Sequence, residues 1–477
     1  MYYRYAEKLK TIINKEVDRK KYEKALAAIS AYAQISYHWN QFYCDDQIEE
    51  TLMDISNVCF PKCKEYYAQK KMVLFYDGFG LDVRGLAIIY IKALKELGYK
   101  ILYVTTAEKK GKQEHLIKLF SETEDVVKHI NMCDTHLNHA RELDSLFEEY
   151  QPEIAFLYTL PYDVASVIVF HKYADQCERY QINLTDHAFW LGKCAFDKCI
   201  EFREYGAGVS IHKRRIAEKD VCILPYYPYV DREIEFQGFD FDCTGKKIVF
   251  SGGALYKTFG NEGKYYKMIA AVLERNDDAI FLYAGSGDDT QLKQLGNRYI
   301  GRVYHINERK DLYALLTKVR VYINTYPLIG GLMTQYAAIA GTVPLILNDT
   351  HKTDNDGILI NQKEIGVEFE EMDALVEEAT RLINDNAYHQ VRAEVMKKAV
   401  INEQDYRVGL SQILNHKEEN VCVEDPDTAD FLKTYRERFG KKHIEEAIAK
   451  RINKSLAREF PKLFITRVIH MVTKSIR

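Results

Sequence analysis

The chain has 477 residues, which is too long for one hydrophobic core and predicts two large domains with appended segments. Hydrophobic residues make up 47% and charged residues 29%, as in an ordinary soluble globular protein. The 66 basic and 70 acidic side chains leave a net charge of −4, so overall charge indicates no nucleic-acid partner.

The compartment is predicted from the start of the chain and from its cysteines. The opening stretch MYYRYAEKLK has no apolar signal core, and no run of about 18 apolar residues occurs, so we expect a cytoplasmic protein. Ten Cys occur without a CxxC pair. The closest pairs, Cys59 with Cys63 and Cys194 with Cys199, do not match a zinc ribbon, and we interpret them as reduced structural thiols.

The first part of the chain predicts helices only. Apolar residues share one helical face in two segments, and Pro61 ends the second segment. We therefore expect a helical appendage over residues 1–70, which packs on a neighbouring domain or docks a partner.

Two α/β domains are predicted next, over residues 71–235 and 236–415. Short apolar runs typical of buried parallel strands alternate with helical patterns in both. The predicted strands are 72–76, 100–105, 153–158, 180–185 and 221–224, then 247–250, 279–284, 298–300, 321–324 and 343–347. We expect two doubly wound, Rossmann-like sheets facing a cleft, where ligands bind at the carboxyl ends of the strands.

The tail, residues 416–477, is basic. From residue 433 onward it has thirteen Lys and Arg against four Glu, a net charge of +9, mixed with apolar residues. This pattern suits a peripheral contact with an anionic membrane, which would put the protein at the inner face of the membrane. A helix that packs back on the first domain and leaves its basic face in water explains it equally well.

Three glycine-containing loops follow predicted strands of the second domain. The first contains Ser251, Gly252 and Lys257, and the second contains Gly285. The third contains Gly330, Gly331 and Thr334, where free backbone NH groups at a helix start favour an anion. Close packing of helix on sheet is the alternative explanation for the two glycines. Because three such loops and one lysine converge, we predict a bound phosphate or diphosphate.

These loops carry a resemblance. SGGALYKTFG, the segment 302–307 and TYPLIGGLMTQYAAIAGTVPLIL resemble the donor half of a GT-B glycosyltransferase over residues 247–366. The resemblance is greatest to the inverting O-GlcNAc transferase group and the related bacterial cytoplasmic protein glycosyltransferases. The lysine of that group lies in an LYK setting similar to residues 255–257.

The resemblance implies a nucleotide-sugar co-substrate, a UDP-sugar above all, and no resident cofactor. It places Lys257 and the amides of Gly330 and Gly331 on the diphosphate, and the backbone near His305 to Asn307 beside the base. Retaining GT-B enzymes often carry an acidic residue shortly after the glycine turn, where this chain has Thr334 and Gln335. We therefore expect an inverting enzyme.

The first domain offers a general base. Asp186 and His187 follow a predicted strand. His has an unperturbed pKa suited to taking the acceptor proton, and Asp186 would either hold the imidazole tautomer or act as the base itself. The structural alternative is that Asp186 caps a helix and His187 is an ordinary polar residue.

No metal site is predicted. Asp240 with Asp242 and Asp354 with Asp356 have DxD spacing, but the first pair precedes a strand. Asp354 would bind sugar or ribose hydroxyls, or would simply belong to a loop turn. A helix dipole and a lysine can carry a leaving diphosphate without a cation.

The sequence therefore favours a metal-independent glycosyltransferase that acts on a protein or glycan acceptor through a hydroxyl or amide group. Two alternatives stay open. One is a catalytically silent GT-B subunit that binds a glycosylated or acceptor partner, and the other is a nucleotide-sugar epimerase.

Overall fold

The structure is a computed structural model, and it describes residues 2–39, 41–62, 65–106, 110–121, 124–131, 135–349, 357–429, 431–433 and 441–475. The chain divides into two compact units. The first unit comprises Met1–Pro225, Tyr406–Pro426 and Phe439–Arg477, and the second comprises Tyr226–Asp405 and Asp427–Arg438.

The first unit is built on a seven-stranded parallel sheet in the order β3-β2-β1-β4-β5-β6-β7. Its central strands are continuous runs of buried apolar and aromatic residues because helices cover both faces. The strands are β1 Gln69–Asp77, β2 Lys100–Thr106, β3 Val126–Ile130, β4 Pro152–Tyr158, β5 Glu178–Ile182, β6 Lys198–Glu201 and β7 Val221–Ile223.

Ten helices of the described residues belong wholly to the first unit. They are α1 Tyr2–Asp18, α2 Tyr22–Trp39, α3 Asp46–Cys59, α4 Ala87–Glu96, α5 Glu114–Lys118, α6 His136–Tyr150, α7 Val164–Lys172, α8 Glu204–Gly208, α16 Lys441–Ala449 and α17 Pro461–Ser475. A short π-helix, Val209–Lys213, continues α8.

The second unit has a six-stranded parallel sheet in the order β10-β9-β8-β11-β12-β13. Its strands are β8 Lys247–Gly252, β9 Ala279–Ala284, β10 Val303–Ile306, β11 Val321–Ile323, β12 Val343–Leu347 and β13 Glu368–Phe369. Its helices are α9 Lys264–Arg275, α10 Thr290–Arg298, α11 Leu312–Leu316, α12 Gly331–Ile339, α13 Met372–Asn384 and α14 Asn386–Lys397, and the helix α15 Glu403–Leu414 begins at its boundary.

The sheet orders explain where a ligand would bind. In the second unit the strand order reverses between β8 and β11, and in the first unit it reverses between β1 and β4. Loops at such a reversal leave a crevice at the carboxyl ends of the strands. The predicted α/β, doubly wound fold class is confirmed.

Several predicted elements need correction. The strand predicted at 298–300 is wrong, because Arg298 ends α10 and the strand that pairs with β9 is β10, Val303–Ile306. That strand is half exposed, so it lacks the apolar run that identifies a buried strand. The prediction also missed β3, β6 and β13, which are short or lie toward a sheet edge.

The units also differ from the predicted domain limits. Apolar residues of α1 to α3 share one buried cluster with the first sheet, so residues 1–70 contribute to that core. Residues 406–415, predicted in the second domain, group with the first unit, where the Tyr406 ring lies edge-on to Tyr90 at 5.5 Å.

The basic tail packs on the first unit with one face. Ile444, Ile448, Leu456 and Leu463 belong to the same buried cluster as the N-terminal helices. In the part of the chain that the structure describes, no helix combines the length and apolar composition needed to span a membrane. Contact of the tail with a membrane surface stays a prediction.

We expect Gly78→Ala to destabilise the first unit. Gly78 follows β1, and a Cβ there would lie 2.2 Å from Thr159 Oγ1 and 3.3 Å from Thr159 Cα. Thr159 cannot turn away freely, because its hydroxyl donates to Asp163 at 2.7 Å. The expected loss is about 1–3 kcal/mol of unfolding free energy.

Urea unfolding followed by tryptophan fluorescence measures this loss, because both Trp39 and Trp190 lie in the first unit. Gly296→Ala is the control, since its Cβ would meet no atom closer than 4.0 Å and it lies in the second unit. An unchanged midpoint for Gly78→Ala would contradict the packing described for β1 and β4.

Candidate functional site

The glycine turn before α12 is held by one side-chain amide. Asn324 follows β11, and its Oδ1 accepts from the backbone N of Gly330 at 2.9 Å, while its Nδ2 donates to Thr334 Oγ1 at 2.8 Å. The Thr334 hydroxyl donates in turn to the carbonyl of Gly330 at 3.1 Å. Asn324 and Thr334 are buried, so this network fixes the position of the helix start.

The first turn of α12 offers backbone donors. Among the described residues no side chain caps this helix, and its first backbone-to-backbone bond runs from Thr334 N to Gly330 O. The amides of Gly331, Leu332 and Met333 therefore have no acceptor within the helix. All three residues are half-buried, and the positive end of the helix dipole favours an anion at these amides.

The structure brings the predicted lysine to this helix start. Lys257 lies in the 3₁₀ turn Leu255–Thr258 after β8, and its Nζ donates to the carbonyl of Ile329 at 3.0 Å. Ile329 directly precedes Gly330. Lys257 is half-buried. Its positive charge therefore lies near the start of α12, where the backbone amides also favour a negatively charged ligand.

The loops after β8 and β9 pack against each other and against the end of β10. A Cβ on Gly285 would lie 1.9 Å from the carbonyl oxygen of Gly253, so only glycine fits there. His305 Nε2 donates to the Gly285 carbonyl at 2.8 Å. A Cβ on Gly252 would lie 3.0 Å from Met333, which places the end of β8 beside the first turn of α12.

Some predicted residues have internal partners instead of open contacts. Ser251 is buried and donates to the carbonyl of Ile323 at 2.5 Å. The hydroxyl of Thr334 and the amide of Gly330 are engaged in the Asn324 network. Of the predicted diphosphate contacts, the Gly331 amide and Lys257 remain candidates, together with the amides of Leu332 and Met333.

The remaining predicted donor residues are less informative. His305 lies in the half-exposed strand β10, and Asn307 follows it at the surface. Asp354 lies outside the described residues. Gln335 stands where retaining enzymes often have a carboxylate, and its side-chain amide donates to the carbonyls of Tyr226 and Ile358, both at 3.1 Å.

Sequence reasoning missed a polar cluster beyond β12. Tyr326 donates to Asp349 at 2.8 Å and accepts from Asn261 at 2.5 Å, and Lys264 forms an ion pair with Asp349. Tyr326 belongs to the TYPLIGG stretch, whereas Asn261, Lys264 and Asp349 lie outside the stretches that carry the resemblance, and Asp349 is distant in sequence from Asn261 and Lys264. Their position after parallel strands is the only signal that could have indicated the cluster.

The second unit also contains a cavity that lies apart from the predicted site. The cavity has a volume of 570 Å³ and is lined by residues of α9 and α10, among them Tyr266 and Arg298, and by none of the predicted site residues.

Among the residues that the structure describes, no three His, Cys, Asp or Glu side chains are grouped as metal ligands.

In the first unit, Asp186 and His187 form a hydrogen-bonded pair in the loop after β5. His187 Nδ1 donates to Asp186 Oδ1 at 3.1 Å, and the side chains are 29% and 1% exposed, respectively. Only His187 is accessible enough to meet an acceptor. Because Nδ1 carries the donated proton, the basic lone pair of the neutral ring is on Nε2.

Asp186 is held as a carboxylate. Burial alone would raise its pKa, but the charge of Arg203 and the hydrogen bonds from His187 and Arg203 outweigh burial and hold the pKa well below its usual range. This geometry favours Asp186 as the group that orients His187 over Asp186 as the base.

Arg203 and Arg214 surround this pair, and from the sequence we expect them in a charged, aromatic stretch that either lines the acceptor side or faces water. Arg203 Nε donates to Asp186 Oδ2 at 2.6 Å. Arg214 is 1% exposed and donates to the backbone carbonyls of Thr185, Asp186 and Ala188 at 3.1, 3.0 and 2.7 Å. Arg203 and Arg214 stand in the sequence as a charged stretch, and only the fold shows that they are buried.

Comparison with known proteins shows the fold. No family model matches this chain, and no curated protein matches it. A mutant O-GlcNAc transferase from Thermobaculum terrenum superposes with a TM-score of 0.52 at 12% identity, covering 91% of this chain and 81% of that one. A UDP-N-acetylglucosamine 2-epimerase superposes with a TM-score of 0.51 at 12% identity, covering 73% and 96%. The chain therefore has the two-domain, Rossmann-like GT-B fold.

We expect Asp186→Asn to destabilise the first unit by about 3–5 kcal/mol at neutral pH, because Arg203 would be left buried without its counterion. The folded-state pKa of Asp186 is depressed, so its contribution is fully present above the unfolded-state pKa of about 4 and is lost as the pH falls below it.

Urea unfolding followed by tryptophan fluorescence at pH 7, 5 and 3 checks this prediction, and the gap between variant and wild type should narrow only at pH 3. Asp175→Asn is the control, because Asp175 is an exposed partner of Lys62 and its loss should not be measurable. Equal stability of Asp186→Asn and wild type at pH 7 would refute the buried pair.

Proposed function

We propose that this chain is a glycosyltransferase that moves a sugar from a nucleoside diphosphate donor to a hydroxyl or amide acceptor. The observation that carries the proposal is the position of Lys257 beside the uncapped start of α12. A lysine ammonium and backbone amides at a helix N-terminus form a binding site for a diphosphate. The resemblance of the surrounding sequence to the O-GlcNAc transferase group supports the same reading.

The proposed mechanism is direct displacement at the anomeric carbon. The bond between that carbon and the diphosphate oxygen breaks while the acceptor oxygen or nitrogen forms a bond to the carbon. Lys257 and the amides of α12 stabilise the negative charge that develops on the leaving diphosphate. His187 takes the acceptor proton on Nε2, and Asp186 holds the ring by the Nδ1 hydrogen bond.

We propose inversion over retention on the basis of one side chain of α12. Gln335 replaces the acidic residue of many retaining enzymes, and its amide nitrogen bonds to two backbone carbonyls. A neutral amide cannot act as a carboxylate nucleophile or neutralise an oxocarbenium ion. With the cation supplied by Lys257, this mechanism requires no metal.

A nucleotide-sugar epimerase is the second candidate, because the similar structures include a UDP-N-acetylglucosamine 2-epimerase. An epimerase would convert the donor without any acceptor and would release an altered nucleotide sugar. Incubation with single nucleotide sugars in the absence of acceptor, followed by NMR of the nucleotide-sugar pool, distinguishes the two activities.

Lys257→Ala should reduce donor turnover at least about a hundredfold, the cost of removing one preorganised group that stabilises a developing charge. It should also weaken binding of UDP, measured by calorimetry, because Lys257 contacts the ground-state diphosphate as well. Turnover is measured with a panel of UDP-sugars, with and without EDTA, and we expect EDTA to change nothing.

Lys293→Ala is the matched control, since Lys293 lies on α10 in the same unit and is 73% exposed. Wild-type affinity for UDP in Lys257→Ala would rule out the proposed diphosphate site. A protein that binds no nucleotide but still binds a glycosylated partner would be the catalytically silent subunit.

The stereochemical outcome can be tested before the acceptor is known. With water as acceptor, slow hydrolysis of an α-linked UDP-sugar should first release the β-anomer, because direct displacement inverts the anomeric carbon. Proton NMR within the first turnovers, before mutarotation, resolves the anomers. Initial release of the α-anomer would contradict the mechanism.

A further inference from the structure

We propose that Arg203 is a positioning residue that sets the proton affinity of His187 through the carboxylate of Asp186. The inference rests on the proposed function, in which His187 is the base. Arg203 touches neither donor nor acceptor in this account, and it acts only through Asp186.

The geometry supports a relay of three side chains. Arg203 Nε donates to Asp186 Oδ2 at 2.6 Å, and His187 Nδ1 donates to Asp186 Oδ1 at 3.1 Å. One carboxylate is therefore shared by a permanent cation and an imidazole. Arg203 and Asp186 are both buried, so solvent screens this interaction little.

Arg203 itself is held in place. It directly precedes α8, and its guanidinium lies 5.1 Å from the centre of the Phe202 ring and 4.8 Å from that of Tyr205. A Cβ on Gly206, in the first turn of α8, would lie 3.0 Å from Asp186 Cβ. The close approach of α8 to the loop thus fixes the distance between guanidinium and carboxylate.

The other charged side chains around the loop form hydrogen bonds with partners other than the Asp186 carboxylate. Arg214 donates to the carbonyls of the loop and to Ser210, so it holds the backbone. Glu201 accepts from Asn183 at 2.8 Å and from Ser210, and it faces the charge of both Arg214 and Asp186. Arg203 is the cation that the structure places directly on the Asp186 carboxylate.

The charge of Arg203 weakens the attraction between the Asp186 carboxylate and the proton on His187. While Arg203 compensates the carboxylate, the neutral imidazole persists at lower pH, where it can accept a proton. Without Arg203, the whole charge of Asp186 acts on the ring, and the Asp186–His187 pair keeps its proton to higher pH.

The experiment compares Arg203→Gln and Arg203→Lys with wild type in the full chain. We expect Arg203→Gln to raise the His187 pKa, measured by NMR of the imidazole, by about one unit. The acid limb of the rate–pH profile should shift by the same amount, and Arg203→Lys should restore most of the shift because it returns the charge. At pH values on the acid limb the rate should fall by up to about tenfold in Arg203→Gln, and it should recover at higher pH.

Arg179→Gln is the matched control. Arg179 is equally buried, pairs with Asp197 at 2.5 Å, and lies near the amino end of β5, away from the loop that follows its carboxyl end. The Arg179→Gln protein should be less stable than wild type, but its His187 pKa should be unchanged.

An unchanged His187 pKa in a folded Arg203→Gln protein overturns the inference, as does a loss of rate that is equal at every pH. Failure of the proposed function looks different: wild type would then transfer no sugar from any UDP-sugar, while the NMR titration, which needs no turnover, would still show or refute the shift.

Discussion

The side-chain amide of Asn324 is the constraint on which the candidate donor site depends. It accepts from the Gly330 amide and donates to Thr334, and so it joins the end of β11 to the first turn of α12. A helix start without a side-chain cap is normally stabilised by solvent. Here the turn is fixed from inside the protein, so the next amides remain open to an anion without disorder of the helix.

The first unit differs from the donor site because it contains several charged side chains that are buried. It buries the carboxylates of Asp186 and Glu201 and the guanidinium groups of Arg203 and Arg214 together. Buried ion pairs contribute little net stability when desolvation is included, so stability alone is a poor reason for such a group. We infer that these buried charges serve to fix the charge and orientation of one half-exposed imidazole, that of His187.

The sequence allowed two doubly wound α/β domains, most of the central strands and the glycine turn to be predicted, because each depends on local patterns of apolar residues, Gly and Pro. The GT-B architecture was implied by the family resemblance. It did not allow the partners of polar side chains to be predicted. Ser251 and Thr334 have hydroxyls of the type that binds phosphate, yet both are used to hold β8, β11 and α12 together. Arg203 and Arg214 could not be recognised as buried from the sequence, because burial of a charge depends on neighbours distant in sequence.

The same distinction applies to the proposed anion contacts of the second unit. The anion contacts proposed for α12 come from backbone amides, which every residue except proline supplies, and from one lysine. The side chains that must be kept are those that hold the turn, above all Asn324, and the glycines without which the loops would collide. The proposed site therefore requires few specific side chains, and most of the surrounding surface is free to change without loss of the anion contacts.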